Sequence, residues 1–367
     1  MTVASAGPSD VVESWERLGP GDAPPLVVLD RLADYMDGIG LGTGPLTAER
    51  IGDGHSQITY LIGRGPVRVV LRRPPRPPIP KGAHDVRREA KVLAGLRDAD
   101  VRAPRLLAHC EDATIIGSEF VLMEYVDGLV IGKELPEPFD SRRDGTAIME
   151  ELIDAMVELH ACVPAEHGLG ALGRPDEYLE RQLGRSKKVW SETRVREVPE
   201  IDLVGEELER RMPPRQAPAF VHGDLRLGNV LFDAEPPPRL LAILDWETTT
   251  QGDPLTDLGY LLGTYPGRGE SGLLLSLSAV GSLDGFPSRR ALANRYAERS
   301  TRSLENLNWY VAFALWRVAI TLERLYARYV KGTLEDDFYA EMETEIPSLA
   351  RQALTFVRSE TDLIDEE

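Results

Sequence analysis

The chain is poor in cysteine, and its first residues do not resemble a signal peptide. Its 367 residues include two cysteines, Cys110 and Cys162, which cannot build a disulfide framework and lie in no zinc-binding or C-x-x-C pattern. We therefore expect free thiols in a reducing compartment. The first ten residues lack the basic and apolar parts of a signal peptide. Together these features favour a cytoplasmic protein.

No apolar stretch is long enough to suggest a membrane span. The most apolar one, residues 309–322, contains Arg317 and is shorter than the roughly 20 residues that cross a bilayer. It predicts a buried core helix instead, and we expect no association with a membrane.

Basic residues are outnumbered by acidic ones. The chain has 42 Lys and Arg against 60 Asp and Glu, which gives a formal net charge of −18. Nucleic-acid backbones select clustered Lys and Arg, so this charge argues against a nucleic-acid partner. It fits a small cationic substrate loosely, because net charge affects steering and solubility rather than the identity of a ligand.

The most informative segment covers residues 220–246. Its loop carries His222, Asp224 and Asn229 in the spacing H-x-D-x-x-x-x-N, and the next apolar run ends in Asp245. In phosphoryl transfer a loop Asp accepts the proton of the attacking hydroxyl, while an Asn and a later Asp bind the metal ion. A lone His-Gly-Asp is often only a turn. The spacing to Asn229 and Asp245 favours a catalytic loop.

With glycine in its second position, this loop resembles the H-G-D form of aminoglycoside phosphotransferases, choline kinases and other small-molecule kinases. Residues 251–259 resemble the G-D-P-x-x-D-L segment of that family. The resemblance implies an α+β, bilobal protein-kinase-like fold, with an N-terminal antiparallel-sheet lobe containing one long helix and a larger, mainly helical C-terminal lobe. We expect a loose leader at residues 1–25, a nucleotide-binding lobe at 26–125 and a catalytic and substrate lobe at 126–367.

The resemblance also implies roles for the loop residues. Asp224 would act as the base or orienting carboxylate for a substrate hydroxyl, and Arg226 would stabilise the transferring group. His222 would brace the loop. Asn229 and Asp245 would supply oxygen ligands to Mg²⁺.

Three more acidic residues follow the expected metal ligand. For Glu247 the sequence leaves three roles open: assisting the metal, facing a cationic substrate, or lying in solvent. Asp253-Pro254 is typical of a turn into a helix, with Asp253 as the cap and Pro254 in the first turn. We expect Asp257, within that helix, to be structural.

Residues 46–72 predict a strand, a glycine loop, a strand, a turn and a third strand. Gly52, Gly54 and Ser56 lie in the first loop, where a kinase-like protein covers the nucleotide phosphates. Small residues there let backbone N–H groups approach an anion. A plain hairpin turn is the alternative. A Walker A loop is excluded, because no G-x-x-x-x-G-K-[ST] sequence occurs.

The strand that in kinases ends in a phosphate-binding Lys ends here in Arg72. Arg72 would pair with nucleotide phosphates and with Glu89, on a helix predicted at residues 86–96 and capped by Asp85. For Glu89 the alternative is a surface position, because Arg87 and Arg88 lie beside it. A guanidinium keeps its charge but is wider than an ammonium group, so the role would survive with altered geometry. A solvated arginine at a strand end is the alternative, and it fits Arg73 better.

Met123, Glu124 and Tyr125 resemble the hinge between the lobes, whose backbone would bind the adenine edge. They close a stretch at residues 114–126 that predicts strand, with a turn at 117–118. Helices are predicted at residues 26–39, 145–162, 176–191, 201–212, 254–264, 287–330 and 335–358.

The sequence therefore predicts an enzyme that uses Mg²⁺ and moves the γ-phosphoryl group of ATP to a hydroxyl of a small molecule, with GTP as an open alternative. An aminoglycoside is the leading acceptor, followed by amino sugars and other hydroxylated metabolites. Arg72 motivates a second hypothesis, a nucleotide-binding pseudokinase that regulates a partner. A protein kinase is a third, disfavoured because no A-P-E-like segment follows Asp245. The oligomeric state is left open.

Overall fold

The computed structural model describes residues 10–15, 24–52, 57–77, 85–266, 278–334 and 337–359. These residues form two compact units. The first contains the described part of Met1–Leu129 together with Leu244–Thr249, and the second contains Val130–Ile243 and the described part of Thr250–Glu367. The short segment that carries Asp245 therefore belongs to the first unit, although the chain on both sides of it belongs to the second.

The described first unit is built around one antiparallel sheet. Its elements are β1 (Val11–Val12), β2 (Val27–Val28), α1 (Leu29–Gly38), β3 (Leu46–Arg50), β4 (Ile58–Arg64), β5 (Val67–Arg73), α2 (Val86–Gly95), β6 (Leu106–Cys110) and β7 (Phe120–Glu124). Strands β3 to β7 form the sheet in the order β3-β4-β5-β7-β6. Arg72 pairs with Thr59 on one side and with Val121 on the other, so it lies on the central strand.

Alternating apolar residues along β4 and β5 produce this sheet. Successive side chains of a strand point to opposite faces, so one face of the sheet becomes a core. That face carries Tyr60, Ile62, Val69 and Leu71, all of which are buried. Helix α1 adds Leu32 and Met36 to the same core.

Arg73 is buried, so the expectation that it is solvated is wrong. Its guanidinium donates to the backbone carbonyls of Leu26, Pro74 and Ile116 at 2.6, 3.0 and 3.0 Å. Burial lowers the pKa of Arg73 to about 10. Because neighbours on a strand face opposite sides, Arg73 anchors one face of the sheet while Arg72 lies on the other.

The second unit is mainly helical. Its helices are α3 (Ser141–Ala161), α4 (Tyr178–Thr193), α5 (Pro199–Arg210), α6 (Leu255–Thr264), α7 (Arg289–Arg299), α8 (Leu307–Val330) and α9 (Met342–Arg358). The short strands are β8 (Leu129–Val130), at the boundary between the units, β9 (Ala219–Val221), β10 (Val230–Phe232), β11 (Leu240–Ile243) and β12 (Thr250–Gly252). The pairs β9–β12 and β10–β11 are antiparallel. The predicted α+β, kinase-like architecture is confirmed.

Helix α8 forms the centre of this unit, which confirms the predicted core helix at residues 309–322. The indole N–H groups of Trp309 and Trp316 donate to backbone carbonyls of α5 at 2.9 and 2.8 Å, so both buried donors are satisfied. Helix α6 packs closely against α8 because Gly259 has no side chain. A Cβ atom at Gly259 would lie 2.6 Å from the backbone of Tyr310.

Several predicted elements differ from the structure. The helix predicted at 287–330 is two helices, α7 and α8, because residues 300–306 are mostly polar residues that favour caps and turns over helix interiors. The strand predicted at 114–126 begins only at Phe120, and β6, which pairs with it, was not predicted. The first helix starts at Leu29, because Val27 and Val28 pair with β1.

Two further expectations concern the thiols and the membrane. Cys110 and Cys162 are both free. Over the described ranges, no helix combines the length and the apolarity needed to cross a membrane.

Candidate active site

The catalytic-loop motif connects two short strands of the second unit. Strand β9 leads into residues 222–226, a turn of 3-10 helix follows at Leu227–Asn229, and β10 begins directly after it. Gly223 has a φ of 89°, a backbone conformation that favours glycine. The glycine in the second position of the motif is therefore required by the path of the chain.

Asn229 holds Asp224 in place within this loop. The Asn229 Nδ2 atom donates to the Asp224 backbone carbonyl and to the Asp224 Oδ2, both at 2.7 Å. Asn229 is buried, whereas the Asp224 side chain is 30% exposed. The carboxylate is thus fixed in position but accessible. Since the amide nitrogen of Asn229 is bound to Asp224, its Oδ1 is the atom that would face a metal ion.

Two further side chains act on Asp224. The Arg226 Nε atom lies 3.4 Å from the Asp224 Oδ1. The Tyr260 hydroxyl, on α6, interacts with the same carboxylate; burial, together with the charge of Asp224 and a hydrogen bond to it, raises the pKa of Tyr260. Tyr260 therefore stays protonated and acts as a hydrogen-bond donor beside Asp224.

A buried carboxylate fixes the start of the loop. The Asp257 Oδ2 accepts the backbone N–H of His222 at 2.7 Å, and the Asp257 Oδ1 accepts the backbone N–H of Gly223 at 2.8 Å. His222 is fully buried, and its Nδ1 accepts the backbone N–H of Asp224 at 3.3 Å. His222 thus lies inside the loop with no surface toward a substrate.

Asp257 is in turn held by a buried histidine. His160 Nε2 lies 3.3 Å from the Asp257 Oδ2, and His160 Nδ1 lies 2.8 Å from the Tyr296 hydroxyl. An ionised Asp257 can only accept, so we assign the His160 proton to Nε2, and the Tyr296 hydroxyl then donates to Nδ1. A chain of hydrogen bonds thus links α7 and α3 to the catalytic loop.

The first unit contains its own cluster of charged residues. Arg72 forms an ion pair with Glu89 through Nη1 and donates from Nη2 to the Asp245 Oδ1 at 3.0 Å. Glu89 is 1% exposed. The Asp85 side chain accepts the backbone N–H of Arg88 at 3.2 Å, which starts α2 and places Glu89 in its first turn.

Burial controls the ionisation of this cluster. Burial lowers the pKa of Arg72, but the charges of Glu89 and Asp245 outweigh that effect, so the guanidinium remains charged. Burial raises the pKa of Glu89 to about 7, against the opposing effect of Arg72. Two buried atoms, the Arg72 Nε and the Glu89 Oε2, have no hydrogen-bond partner within the described part of the chain.

The segment Leu244–Thr249 is anchored to the first unit at several points. Asp245 has a φ of 65°, in the left-handed region that few residues other than glycine adopt. The Gln57 amide donates to the Glu247 carboxylate at 2.8 Å, and the Arg88 guanidinium donates to the Thr249 carbonyl at 3.0 Å. Glu247, whose role the sequence left open, therefore contacts the residue that follows the glycine loop.

The glycine-loop residues are only partly described. Gly52 has a φ of 76°, so the chain turns there in a conformation suited to glycine. Gly54 and Ser56 lie outside the described residues.

Met123 and Glu124, two of the predicted hinge residues, end the strand β7, and Tyr125 follows it. The Glu124 backbone N–H donates to the Arg105 carbonyl at 2.9 Å, so that group is already bound within the sheet. Met123 is buried in the strand. The Tyr125 ring is covered by Arg68, whose guanidinium carbon lies 3.9 Å from the ring centroid.

The residues available for Mg²⁺ are few. No group of three or more His, Cys, Asp or Glu with metal-binding geometry occurs among the residues that the structure describes. Mg²⁺ is usually bound through one or two protein oxygens together with substrate phosphates and water. The Asn229 Oδ1 and the Asp245 carboxylate oxygens are donor atoms of the kind that Mg²⁺ takes.

Sequence reasoning missed Tyr260 and His160. Neither lies in a recognisable motif, and both reach the loop from helices distant in sequence. Asp257 did carry a signal, because the G-D-P-x-x-D-L segment contains it, and its expected structural role matches its contacts with the loop.

The family of the chain follows from comparison with known proteins. Residues 47–292, more than half of the chain, match the family model described as the phosphotransferase enzyme family (APH). The chain belongs to this family, as the resemblance predicted.

Relatives with curated names include longer proteins. Acyl-CoA dehydrogenase family member 10 of Mus musculus is 30% identical over 338 residues, which is 90% of this chain and 31% of that protein. The chain thus spans about a third of the length of this relative.

Solved structures show the same fold. A candidate aminoglycoside phosphotransferase from Ralstonia eutropha JMP134 aligns with a TM-score of 0.76 and 29% identity, covering 90% of this chain and 98% of that one. A spectinomycin phosphotransferase in complex with ADP and spectinomycin aligns with a TM-score of 0.58 and 11% identity, covering 90% of this chain and 98% of that one. The second likeness concerns the fold alone.

Proposed function

We propose that the protein is a small-molecule kinase that transfers the γ-phosphoryl group of ATP to a hydroxyl group. The observation that supports this most is the fixed, accessible carboxylate of Asp224, held at 2.7 Å by Asn229 in the H-G-D loop. Family membership supports the reaction class, and the likeness to a nucleotide-bound phosphotransferase fold supports nucleotide use.

In the proposed reaction Asp224 orients the acceptor hydroxyl and takes its proton. The hydroxyl oxygen forms a bond to the γ-phosphorus, the bond from that phosphorus to the β–γ bridging oxygen breaks, and ADP leaves. Arg226, 3.4 Å from Asp224, would neutralise charge on the transferring group. Tyr260 would keep the Asp224 carboxylate in its orientation through its hydroxyl.

On the nucleotide side, we propose that Arg72 binds phosphate oxygens. Its buried Nε has no partner within the described residues and remains available as a donor. Glu89 would hold the guanidinium in place. When bound, Mg²⁺ would neutralise part of the negative charge of the phosphates. We propose Asn229 and Asp245 as its protein ligands. Gly52, Gly54 and Ser56 remain proposed phosphate contacts, and residues 123–125 a proposed adenine contact.

Two classes of acceptor have support. Aminoglycosides are supported by the solved structure from Ralstonia eutropha. Hydroxylated acyl-CoA esters are supported by the name of the mouse relative, which belongs to the acyl-CoA dehydrogenase family. We keep the cytoplasm as the proposed location, because both cysteines are free thiols.

A pseudokinase is the alternative that Arg72 motivates. Against it, Arg72 retains the ion pair with a helix Glu that an active site of this kind requires, and Asp224, Asn229 and Asp245 are all present. A pseudokinase would bind nucleotide without phosphorylating any acceptor.

The proposed function is tested by incubating the protein with Mg–ATP and a mixture of aminoglycosides, sugars, hydroxy acids and 3-hydroxybutyryl-CoA, followed by mass spectrometry. We expect one class to gain the mass of a phosphate group, with an equal amount of ADP released. Nucleotide binding without any phosphorylated product would favour the pseudokinase.

A further inference from the structure

Gly228 lies in the middle of the catalytic loop, in the turn of 3-10 helix at Leu227–Asn229. Its φ lies outside the left-handed region, in contrast to that of Gly223, which is 89°. An alanine can adopt the backbone conformation of a helical turn without strain. The path of the chain therefore requires Gly223, but it does not explain Gly228.

The space beside Gly228 is occupied by the Arg226 guanidinium. A Cβ atom at Gly228 would overlap the Arg226 Nη1 atom and would lie 3.2 Å from Cζ and 3.7 Å from Nη2. The guanidinium thus lies where other residues have a side chain. Because the overlap involves the mobile end of a side chain, we expect a methyl group at this position to displace Arg226 rather than the backbone.

From this position Arg226 reaches the proposed base. Its Nε lies 3.4 Å from the Asp224 Oδ1, and the Asn229 Nδ2 donates to the Asp224 Oδ2 at 2.7 Å. The backbone N–H of Asn229 also donates to the carbonyl of Arg226 at 2.9 Å, which closes the turn between these two residues. One turn thus supplies a neighbour for each oxygen of the carboxylate.

The contact also determines where a positive charge lies. The Arg226 and Asp224 side chains are 24% and 30% exposed, so both are accessible from solvent. In phosphoryl transfer, negative charge is spread over the oxygens of the transferring group, and a positioned guanidinium stabilises it. A free arginine side chain has many rotamers, and restricting them costs entropy. A guanidinium that is already in position removes this cost from the reaction step.

We propose that Gly228 is a positioning residue for phosphoryl transfer: the space above its Cα holds the Arg226 guanidinium against Asp224, where Arg226 stabilises the transferring phosphoryl group. This inference rests on the proposed phosphotransferase function and adds to it a residue that acts only through Arg226. The bonds made and broken stay as described above: the acceptor oxygen binds the γ-phosphorus, ADP leaves, and Asp224 takes the proton.

The test is a double-mutant cycle on the full chain. The natural sequence, Gly228→Ala, Arg226→Ala and the double variant are compared in kcat, in the KM for ATP and in the free energy of unfolding by urea. The preferred acceptor is the compound of the mixture described above that the natural sequence phosphorylates fastest. Gly184→Ala is the control, because Gly184 is exposed on α4 and a Cβ atom there would meet no described atom within 4 Å outside its own helix.

We expect Gly228→Ala to lower kcat about tenfold and Arg226→Ala to lower it about tenfold to a hundredfold, the range for losing an interaction with a charged group. The KM for ATP should change by less than about twofold, because the interaction is made with the transferring group in the transition state. In the Arg226→Ala background the guanidinium is absent, so Gly228→Ala should change kcat by less than about twofold. Gly184→Ala should leave kcat unchanged.

Two results would overturn the inference. If either Gly228→Ala or Arg226→Ala keeps the natural kcat, the position of the guanidinium does not matter for the transfer. If Gly228→Ala lowers kcat and stability equally in both backgrounds, Gly228 has a merely structural role in the turn. In both cases the natural sequence still phosphorylates the preferred acceptor, so the proposed function stands. If the natural sequence binds Mg–ATP but phosphorylates no compound of the mixture, the proposed function fails and the inference fails with it.

Discussion

Arg72 donates from Nη2 to the Asp245 Oδ1 at 3.0 Å while its Nη1 forms an ion pair with Glu89. One guanidinium thus connects the helix carboxylate to the proposed metal ligand. A lysine has a single charged nitrogen and lacks the planar fork that binds two carboxylates in this way. The arginine in place of the expected lysine therefore adds a contact to Asp245, and a metal ion at Asp245, as proposed, would have to compete with that contact.

Arg72 provides the first prediction. Arg72→Met should weaken nucleotide binding about tenfold to a hundredfold, because it would remove the proposed hydrogen bonds to charged phosphate oxygens. Arg72→Lys should bind nucleotide within about tenfold of the natural sequence, since it keeps the positive charge. Isothermal titration with a non-hydrolysable ATP analogue measures both effects. Arg87→Met, at an exposed arginine on α2, should bind normally. Equal affinity of Arg72→Met and the natural sequence would refute the role of Arg72.

The pKa of Glu89 provides a pH prediction. Burial raises that pKa to about 7, so the folded state binds the proton more tightly than the unfolded state does. This tighter proton binding stabilises the folded state. The stabilisation is fully present below the ordinary carboxyl pKa and is lost as pH rises through about 7. The variant Glu89→Gln has an uncharged amide at this position, so it lacks this pH dependence. We therefore expect the free energy of unfolding of the natural sequence to fall relative to that of Glu89→Gln between pH 5 and pH 8, measured by urea denaturation. Parallel curves for the two proteins would contradict this.

Asp257 should matter for catalysis without touching a substrate. Asp257→Asn replaces one acceptor oxygen with an amide that faces a backbone N–H of the catalytic loop. Two donors then oppose each other, and we expect the free energy of unfolding to fall by about 1–3 kcal/mol. We also expect a large fall in kcat and a smaller rise in the KM for ATP, because the loop shifts while the contacts with the nucleotide remain. Asp154→Asn, at a carboxylate that binds Arg295 on α7, is the matched control. Normal kcat in Asp257→Asn would show that the loop is held by other contacts.

His160 should contribute to the same positioning. His160→Phe removes the histidine partner of the Tyr296 hydroxyl and one of the two hydrogen-bond donors to the Asp257 Oδ2, which keeps the backbone N–H of His222. Losing these two buried hydrogen bonds should lower the free energy of unfolding by about 1–3 kcal/mol. His160→Gln, which keeps polar atoms at the site, should recover part of that loss and of kcat. If both variants are equally stable and equally active, the histidine only fills space.

The sheet unit and the catalytic loop were predictable because their signals are local. Alternation along β4 and β5, the cap at Asp85 and the spacing from His222 to Asn229 depend only on neighbouring residues. The burial of Arg73 could not be predicted, because its partners Leu26 and Ile116 are more than 40 residues away in sequence.

The same limit explains what was missed around the loop. Tyr260 reaches Asp224 from α6 and His160 reaches Asp257 from α3, and no short pattern joins either residue to the loop. Periodicity predicted that these helices exist, but it does not report which side chains of different helices come together. The acceptor was left open for this reason, since its chemistry depends on those side chains.

The role of Asp224 is the central claim, and it is tested most directly by product formation in a matched pair of variants. Asp224→Asn removes the proposed base. Asp233→Asn removes a carboxylate of equal 30% side-chain exposure on the same stretch of chain. With Mg–ATP and the preferred acceptor, we expect Asp224→Asn to lose at least about a hundredfold in kcat, within the range for general-base catalysis, while still binding the nucleotide. Asp233→Asn should retain full activity. Phosphorylated product formed at the natural rate by Asp224→Asn would contradict the account.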